Sequence, residues 1–137
     1  MPDELPFRFS GVVGPGLQRG RQLGFPTANI EVDKARAAQL PRGVFAARVQ
    51  WAGEWRWAVV NIGHRPTFTA GALSVEAHVL DFSGDLYGEM MEVELCGLLR
   101  GEKRFAGIDE LTAQIAQDVE KTRNYINEKV KNNIAEV

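Results

Sequence analysis

Thr27, Asn29 and Glu76 are the side chains whose type and spacing could support chemistry in this 137-residue chain. If their segment is extended, Thr27 and Asn29 project to the same side. A hydroxyl and an amide carbonyl are hard oxygen ligands that suit Mg²⁺. Both are neutral, so the ion would have to arrive with phosphates that supply negative charge. The alternative is that the two side chains only satisfy backbone groups of a turn.

Glu76 lies in a segment whose neighbouring residues are apolar. A carboxylate on an enclosed face needs a compensating role, and it could orient or deprotonate a hydroxyl group. The alternative is a cross-strand ion pair with an arginine such as Arg48 or Arg56. We interpret His78, two residues further along, as a packed or rim histidine rather than a ligand.

The segment that precedes Thr27 is rich in glycine and reads as a long loop between strands: Gly14, Gly16, Gly20 and Gly24. Glycines allow backbone N–H groups to approach a phosphate closely. The loop lacks the Gly-Lys-Ser/Thr of a Walker A motif, and no βαβ unit surrounds it as a dinucleotide fingerprint requires. On the glycines alone, a flexible hairpin loop is an equally good interpretation.

The elements that must position these residues are strands over the first two-thirds of the chain. Alternating apolar and polar residues predict strands at 7–13, 43–51, 54–62, 74–82 and 89–99. The period then changes to three or four, which predicts an amphipathic helix from about 108 to about 132 with Gly107 as its N-cap. About six antiparallel strands and one helix favour a small, closed or nearly closed barrel.

Composition excludes several classes of protein. The net charge is −2 and only one cysteine, Cys96, is present, so neither a basic nucleic-acid-binding face nor a structural zinc site is indicated. No apolar run approaches the roughly 20 residues that span a bilayer. We expect one domain over residues 1–137, in the cytoplasm, without a membrane or nucleic-acid partner, and as a monomer.

Taken in order, these segments resemble the riboflavin kinase family. The matching motifs are G20-R21-x-L23-G24-F25-P26-T27-A28-N29-I30, G43-V44-F45-A46, N61-I62-G63-x-R65-P66-T67, V75-E76-x-H78, D81-F82-x-x-D85-L86-Y87-G88, L99-R100-x-E102-x-x-F105 and I115-x-x-D118. The Phe-Pro-Thr-Ala-Asn string followed by Val-Glu-x-His is specific, and the ordered set is more so. The resemblance fits either a stand-alone kinase or the C-terminal kinase module of a bifunctional riboflavin kinase/FAD synthetase.

The resemblance implies a mainly β fold, a six-stranded antiparallel Greek-key-like barrel with one long C-terminal helix. It implies transfer of the γ-phosphate of ATP to the 5′-hydroxyl of riboflavin, giving FMN and ADP, with Mg²⁺ or another divalent ion. Thr27 and Asn29 would contact the metal and the phosphates, and Glu76 would be the catalytic carboxylate. The wider set of residues expected to bind nucleotide or flavin is Gly14, Gly16, Gly20, Arg21, Gly24, Pro26, Asp85, Tyr87, Arg100, Glu102 and Phe105.

Some interpretations stay open at this point. Phe105, Leu111 and Ile115 could line a slot for the flavin ring or could pack the helix onto the barrel. A flavin-binding module without kinase activity is one alternative function, although Thr27, Asn29 and Glu76 argue against it. A barrel that binds nucleic acid or another protein is a second alternative, prompted by the tryptophans at 51, 55 and 57. Because no adenylyltransferase motif is present, we expect no FAD synthesis by this chain.

Overall fold

The computed structural model describes residues 5–15, 27–64, 73–103 and 105–135. The strands and helices within these ranges are β1 (Phe7–Gly14), β2 (Ala28–Glu31), α1 (Lys34–Ala37), β3 (Gly43–Trp51), β4 (Glu54–His64), β5 (Leu73–Val79), β6 (Met90–Arg100) and α2 (Ile108–Ala135). Neither of these helices is both long and apolar enough to cross a bilayer.

The strands form a closed barrel in the order β1-β2-β5-β4-β3-β6, and each neighbouring pair is antiparallel. β3 and β4 are the predicted hairpin, joined by a tight turn in which Ala52 and Gly53 both have positive φ. The chain then returns through β5 to pair with β2, and β6 closes the ring between β3 and β1. The predicted Greek-key-like barrel with one long C-terminal helix is therefore confirmed.

Three differences from the sequence prediction exceed two residues. β2 is a short strand in a segment that the sequence predicts only as the end of a loop, and it forms because β1 and β5 flank it. The predicted strand 74–82 ends at Val79, because Asp81 adopts a left-handed conformation (φ 56°) that turns the chain. α2 begins after Gly107, whose carbonyl accepts a hydrogen bond from the Leu111 N–H, and ends at Ala135 rather than near 132.

Strand alternation sorts the residues into an inner and an outer set. The barrel interior is filled by small and branched apolar side chains, among them Ala47, Val49, Ala58, Val60, Ile62, Val75, Ala77, Val79, Met91, Val93 and Leu95. A second cluster lies on the outside, where Val44, Val59 and Leu80 pack against Val119 and Ile126 of α2. The helix therefore covers part of the outer surface of β3 and β4 rather than plugging the barrel.

Helix α2 approaches the barrel closely at Gly97 of β6. A β-carbon at this position would stand 2.8 Å from the ring of Tyr125, closer than real contacts allow. The Tyr125 ring also meets Trp57 edge-on, with ring centroids 6.1 Å apart. Gly97 is therefore required by the space that Tyr125 occupies.

Replacing Gly97 with alanine should loosen the contact between α2 and the barrel. The added methyl group must displace Tyr125, and overpacking of this kind costs about 1–3 kcal/mol. Urea unfolding followed by tryptophan fluorescence should report that loss. The double variant Gly97→Ala/Tyr125→Leu, which makes room for the methyl group, should recover part of it; no recovery would mean that the ring is not the obstacle.

Glu94 is a buried carboxylate on the outer face of β6. It accepts hydrogen bonds from Nε of Arg8 at 2.8 Å and from Nε and Nη2 of Arg48 at 2.9 and 2.7 Å. Burial alone would raise the pKa of Glu94, but the two guanidinium groups outweigh it, so this pKa lies below its ordinary value. Burial and the Glu94 charge together raise the pKa of the neighbouring Cys96 thiol to about 11, which makes it a poor nucleophile at neutral pH.

The three tryptophans around the β3–β4 turn are engaged in contacts within the chain. Trp55 lies beneath the guanidinium groups of Arg8 and Arg48, at 5.5 and 4.8 Å from its ring centroid. Trp51 meets Phe82 edge-on at 5.1 Å, and Trp57 meets Tyr125 of α2 as described. Packing accounts for these residues without a nucleic-acid partner.

Candidate active site

Glu76 and Asn29 lie directly opposite each other on adjacent strands. The register pairs Asn29 of β2 with Glu76 of β5, and Ala28 with Ala77. Because Ala28 and Ala77 point into the core, Asn29 and Glu76 project together from the outer surface. Both side chains are half-buried, and both interact with other groups of the protein. This register therefore places the two predicted site residues side by side.

The same register continues around the barrel. Gly14 pairs with Asn29, Glu76 pairs with Asn61, Asn61 pairs with Val44, and Val44 pairs with Arg100. We call this line of six residues, Gly14, Asn29, Glu76, Asn61, Val44 and Arg100, the Glu76 row. Glu76 stands near its middle, and three strand spacings, roughly 14 Å along the surface, separate it from Arg100.

Thr27 precedes β2 and lies next to this row. It is half-buried, and it comes two residues before Asn29 along a chain that is extended from Ala28 onward. The predicted placement of a hydroxyl beside an amide carbonyl is therefore compatible with the backbone. The predicted binding residues Gly16, Gly20, Arg21, Gly24 and Pro26 lie outside the described residues.

The two arginines considered as ion-pair partners of Glu76 interact with other carboxylates. Arg48 bonds Glu94, and Nη2 of Arg56 lies 3.0 Å from Glu54. Arg56 also stacks near Trp51 and Phe82, at 5.1 and 5.5 Å from the ring centroids. These contacts therefore do not support an ion pair of Glu76 with Arg48 or Arg56.

Arg100 is held at one end of the row by helix α2. Its Nε and Nη2 donate to the two carboxylate oxygens of Asp118 at 2.9 and 2.8 Å, and Nη1 donates to the carbonyl of Gly101 at 3.1 Å. Asp118 is almost fully buried, with 3% of its side chain exposed, and Gln114 donates a further hydrogen bond to it at 3.1 Å. The guanidinium plane of Arg100 is therefore fixed before any ligand binds.

Of the predicted binding residues after Arg100, Phe105 lies beside it, whereas Glu102 lies against Gly63 of β4. Phe105 lies under Arg100 and under Lys103, at 5.8 and 5.7 Å from its ring centroid. Lys103 donates to Gln114 at 3.3 Å, which links this loop to α2. Leu111 and Ile115 are half-buried, and the outer apolar cluster takes Val119 and Ile126 from the helix instead. One corner of the surface thus combines apolar groups, the Phe105 ring and the first turns of α2, with the cationic groups of Arg100 and Lys103.

Asp85 and Tyr87 lie at the opposite end of the row. The Asp85 carboxylate accepts a hydrogen bond from the Tyr87 N–H at 2.9 Å, which shapes a local turn, and Tyr87 is 64% exposed. Gly88 N–H bonds the carbonyl of Val13, next to Gly14. The structure therefore does not bring Tyr87 and Arg100 together: they lie on opposite sides of Glu76.

Two residues of this region were not identified as site residues from the sequence. Asn61 gains its importance only from the strand register that sets it beside Glu76. Asp118 appeared in the helical motif, but only its contact with Arg100 gives it a role. Its signal in the sequence was an acidic residue on the apolar side of the helix, four residues after Gln114.

Comparison with known proteins agrees with these features. The family model described as Flavokinase, riboflavin kinase, matches residues 4–126. A bifunctional riboflavin kinase/FMN adenylyltransferase from Haemophilus influenzae is 41% identical over 123 residues, covering 89% of this chain and 39% of that protein. The chain thus spans well under half the length of this curated relative.

Two solved structures also resemble the chain. A riboflavin kinase from Trypanosoma brucei superposes with a TM-score of 0.66 and 30% identity, covering 91% of this chain and 82% of that one. A Streptococcus pneumoniae structure named as a macrolide-efflux protein gives a TM-score of 0.76 and 32% identity, covering 87% of this chain and 39% of that one. With the family match over most of its length, this chain belongs to the riboflavin kinase family.

Proposed function

We propose that this chain transfers the γ-phosphate of ATP to the 5′-hydroxyl of riboflavin, producing FMN and ADP. The observation that carries the proposal is the direct pairing of Asn29 with Glu76 on the outer barrel surface. It sets an oxygen ligand for a nucleotide-bound metal beside a carboxylate that can bind a hydroxyl. Membership of the riboflavin kinase family identifies the two substrates.

The nucleotide would bind on the side of the row that holds Gly14, Asn29 and Thr27. Within the described residues, no three His, Cys, Asp or Glu side chains gather as a metal site. The hydroxyl of Thr27 and the amide carbonyl of Asn29 are hard oxygen donors that suit Mg²⁺ once the phosphates contribute charge. When bound, the ion would neutralise charge on the phosphate oxygens during transfer. Tyr87, exposed at this end, is available to the nucleotide.

Glu76 would act on the acceptor. Its carboxylate accepts a hydrogen bond from the 5′-hydroxyl, aligns that oxygen with the γ-phosphorus and takes its proton as the new O–P bond forms. The bond between the γ-phosphorus and the bridging oxygen breaks at the same time, and ADP leaves with the electron pair. No covalent intermediate with the protein is required.

The flavin would extend from Glu76 toward Arg100. The resemblance implies that both Tyr87 and Arg100 bind nucleotide or flavin, and the two residues lie at opposite ends of the Glu76 row. We therefore assign the corner formed by Arg100, Phe105, Leu111 and Ile115 to the planar ring, since it combines a fixed guanidinium plane with an aromatic and an apolar surface.

The direct test is FMN formation from riboflavin, ATP and Mg²⁺, resolved by chromatography with fluorescence detection. We expect product that requires the divalent ion. If the chain binds riboflavin but forms no FMN under any divalent ion, it is a flavin-binding module rather than a kinase.

Loss of either proposed metal ligand should weaken nucleotide binding. Thr27→Ala and Asn29→Ala each remove one oxygen donor, and removal of a contact in a metal site costs about tenfold or more in affinity. Isothermal titration with ADP in the presence of Mg²⁺ measures this. Asn124→Ala, which removes the same side chain as Asn29→Ala from the exposed surface of α2, is the matched control. Unchanged affinity in both site variants would refute the ligand assignment.

We also propose that one copy of the chain, residues 1–137, works as a single cytoplasmic domain on Mg²⁺-bound ATP. Closure of the barrel supports a monomer, because the six described strands are all paired on both sides and leave no edge for another copy. A single cysteine, which permits no disulfide within these residues, fits a reducing compartment. Sedimentation analysis of the purified chain tests whether it is a monomer.

A further inference from the structure

We infer that Asn61 is a specificity residue, whose side-chain amide binds the inner hydroxyl groups of the ribityl chain. The inference rests on the proposed kinase function and adds a contact that the resemblance did not assign. It follows from the position of Asn61 between the residue that would hold the 5′-hydroxyl, Glu76, and the corner that would hold the ring, Arg100.

The first step is the register. Asn61 of β4 lies directly opposite Glu76 of β5, and residues in such positions have β-carbons about 4.5–5.5 Å apart. Both project from the outer surface, since Val60 and Ile62 on either side of Asn61 point into the core. A chain whose last oxygen rests on Glu76 and that runs toward Arg100 must therefore pass over Asn61.

The second step is accessibility. On the far side of Asn61 from Glu76, Val44 is covered by helix α2 and is only 1% exposed. Asn61 itself is exposed. It is thus the last open position of the Glu76 row before the helix closes over the barrel, so a ligand can reach its amide.

The third step concerns the residues that border the exposed Asn61 along β4. Val59, two residues before Asn61, packs under α2. Gly63, two residues after it, is covered by Glu102, whose Oε1 atom would clash with a β-carbon on Gly63. Asn61 therefore forms the floor of a gap bounded by Glu76, Glu102 and the helix.

The fourth step is the hydrogen-bonding chemistry of the Asn61 side-chain amide. Each ribityl hydroxyl both donates and accepts a hydrogen bond, and a side-chain amide offers two donors and one acceptor oxygen to match. An aspartate in the same place would put a second negative charge beside Glu76 and raise the pKa of one of the two carboxyls. An apolar residue would leave hydroxyls unpaired. A neutral amide suits a polyol beside a carboxylate.

The test compares two flavins by fluorescence titration with Mg–ADP present. One is riboflavin; the other carries an unbranched 5-hydroxypentyl chain, which keeps the terminal hydroxyl and lacks the inner ones. In Asn61→Ala we expect riboflavin to bind about tenfold more weakly, the effect of one lost hydrogen bond. Binding of the hydroxypentyl flavin should stay at the wild-type value. Asn124→Ala, an exposed asparagine on α2, should change neither.

Two results would overturn the inference while the proposed function stands: equal weakening for both flavins, or unchanged binding of both, in a protein whose wild type binds riboflavin. Failure of the wild type to bind riboflavin would instead remove the proposed function itself. Asn61→Ser, which keeps a small hydrogen-bonding group, provides a second variant should the alanine variant fold poorly. It should retain part of the preference for riboflavin.

Discussion

Replacing Glu76 with glutamine should lower turnover by roughly 10²- to 10⁴-fold, the usual contribution of a positioned general base. The amide keeps the size of the side chain but cannot take a proton from the 5′-hydroxyl. Nucleotide and flavin affinities should change far less than turnover, because the polar contact to the hydroxyl partly survives. Steady-state FMN formation and single-turnover kinetics would separate the chemical step from binding.

The matched control for this variant is Glu92→Gln. Glu92 is also an outward-facing glutamate within a strand, but it lies on β6 opposite Gln50 and Ser10, away from the Glu76 row. Its turnover should stay at the wild-type value. Wild-type turnover in Glu76→Gln itself would exclude Glu76 as the base and leave positioning and charge neutralisation as the sources of catalysis.

The substitution with the largest expected effect on stability is Asp118→Asn. Removing the charge of Asp118 leaves the Arg100 guanidinium, whose side chain is only 15% exposed, without its counter-charge. Breaking a buried ion pair from one side costs about 3 kcal/mol or more. Urea unfolding should show this as a lower midpoint with an unchanged slope. The riboflavin KM should also rise, since the Arg100 plane would no longer be fixed.

A second Arg–Asp pair, which also links α2 to the barrel, provides the control. Arg123 of α2 donates two hydrogen bonds to Asp81, at 3.1 and 2.9 Å, and both side chains are largely exposed. Solvent competes with this pair, so Asp81→Asn should change stability little. Asparagine also tolerates the left-handed backbone at that position. If the two variants unfold at the same urea concentration, burial does not make the Arg100–Asp118 pair contribute more to stability than the exposed pair.

The strand alternation visible in the sequence was sufficient to predict which face of β5 carries Glu76. Val75, Ala77 and Val79 fill the core, as their spacing indicates, so Glu76 must lie outside. The predicted strand ran too far, because the apolar residue Leu80 follows Val79 directly and was included in it. Leu80 is apolar for another reason: it packs under α2 after the strand has ended.

Other features depended on partners distant in the chain and could not be read locally. β2 has four residues and includes a polar asparagine, so only its pairing with β1 and β5 defines it as a strand. Asn61 looks like an ordinary residue before a turn until the register places it beside Glu76. Arg48 and Arg56 seemed suitable partners for Glu76, but their own strands place Glu94 and Glu54 within reach.

In this barrel, residues that stabilise the fold alternate along a strand with residues proposed to take part in the reaction. Along β5, the side chains that stabilise the fold point inward and the proposed catalytic carboxylate points outward. Substitution at adjacent positions is therefore constrained by different properties, stability at one and activity at the next. Interior repacking at Val75 or Ala77 can therefore be selected for heat resistance with little penalty in the reaction, while the outer surface is free to adapt to other acceptors. A shift of β5 by a single residue would exchange the two sets and abolish both properties at once.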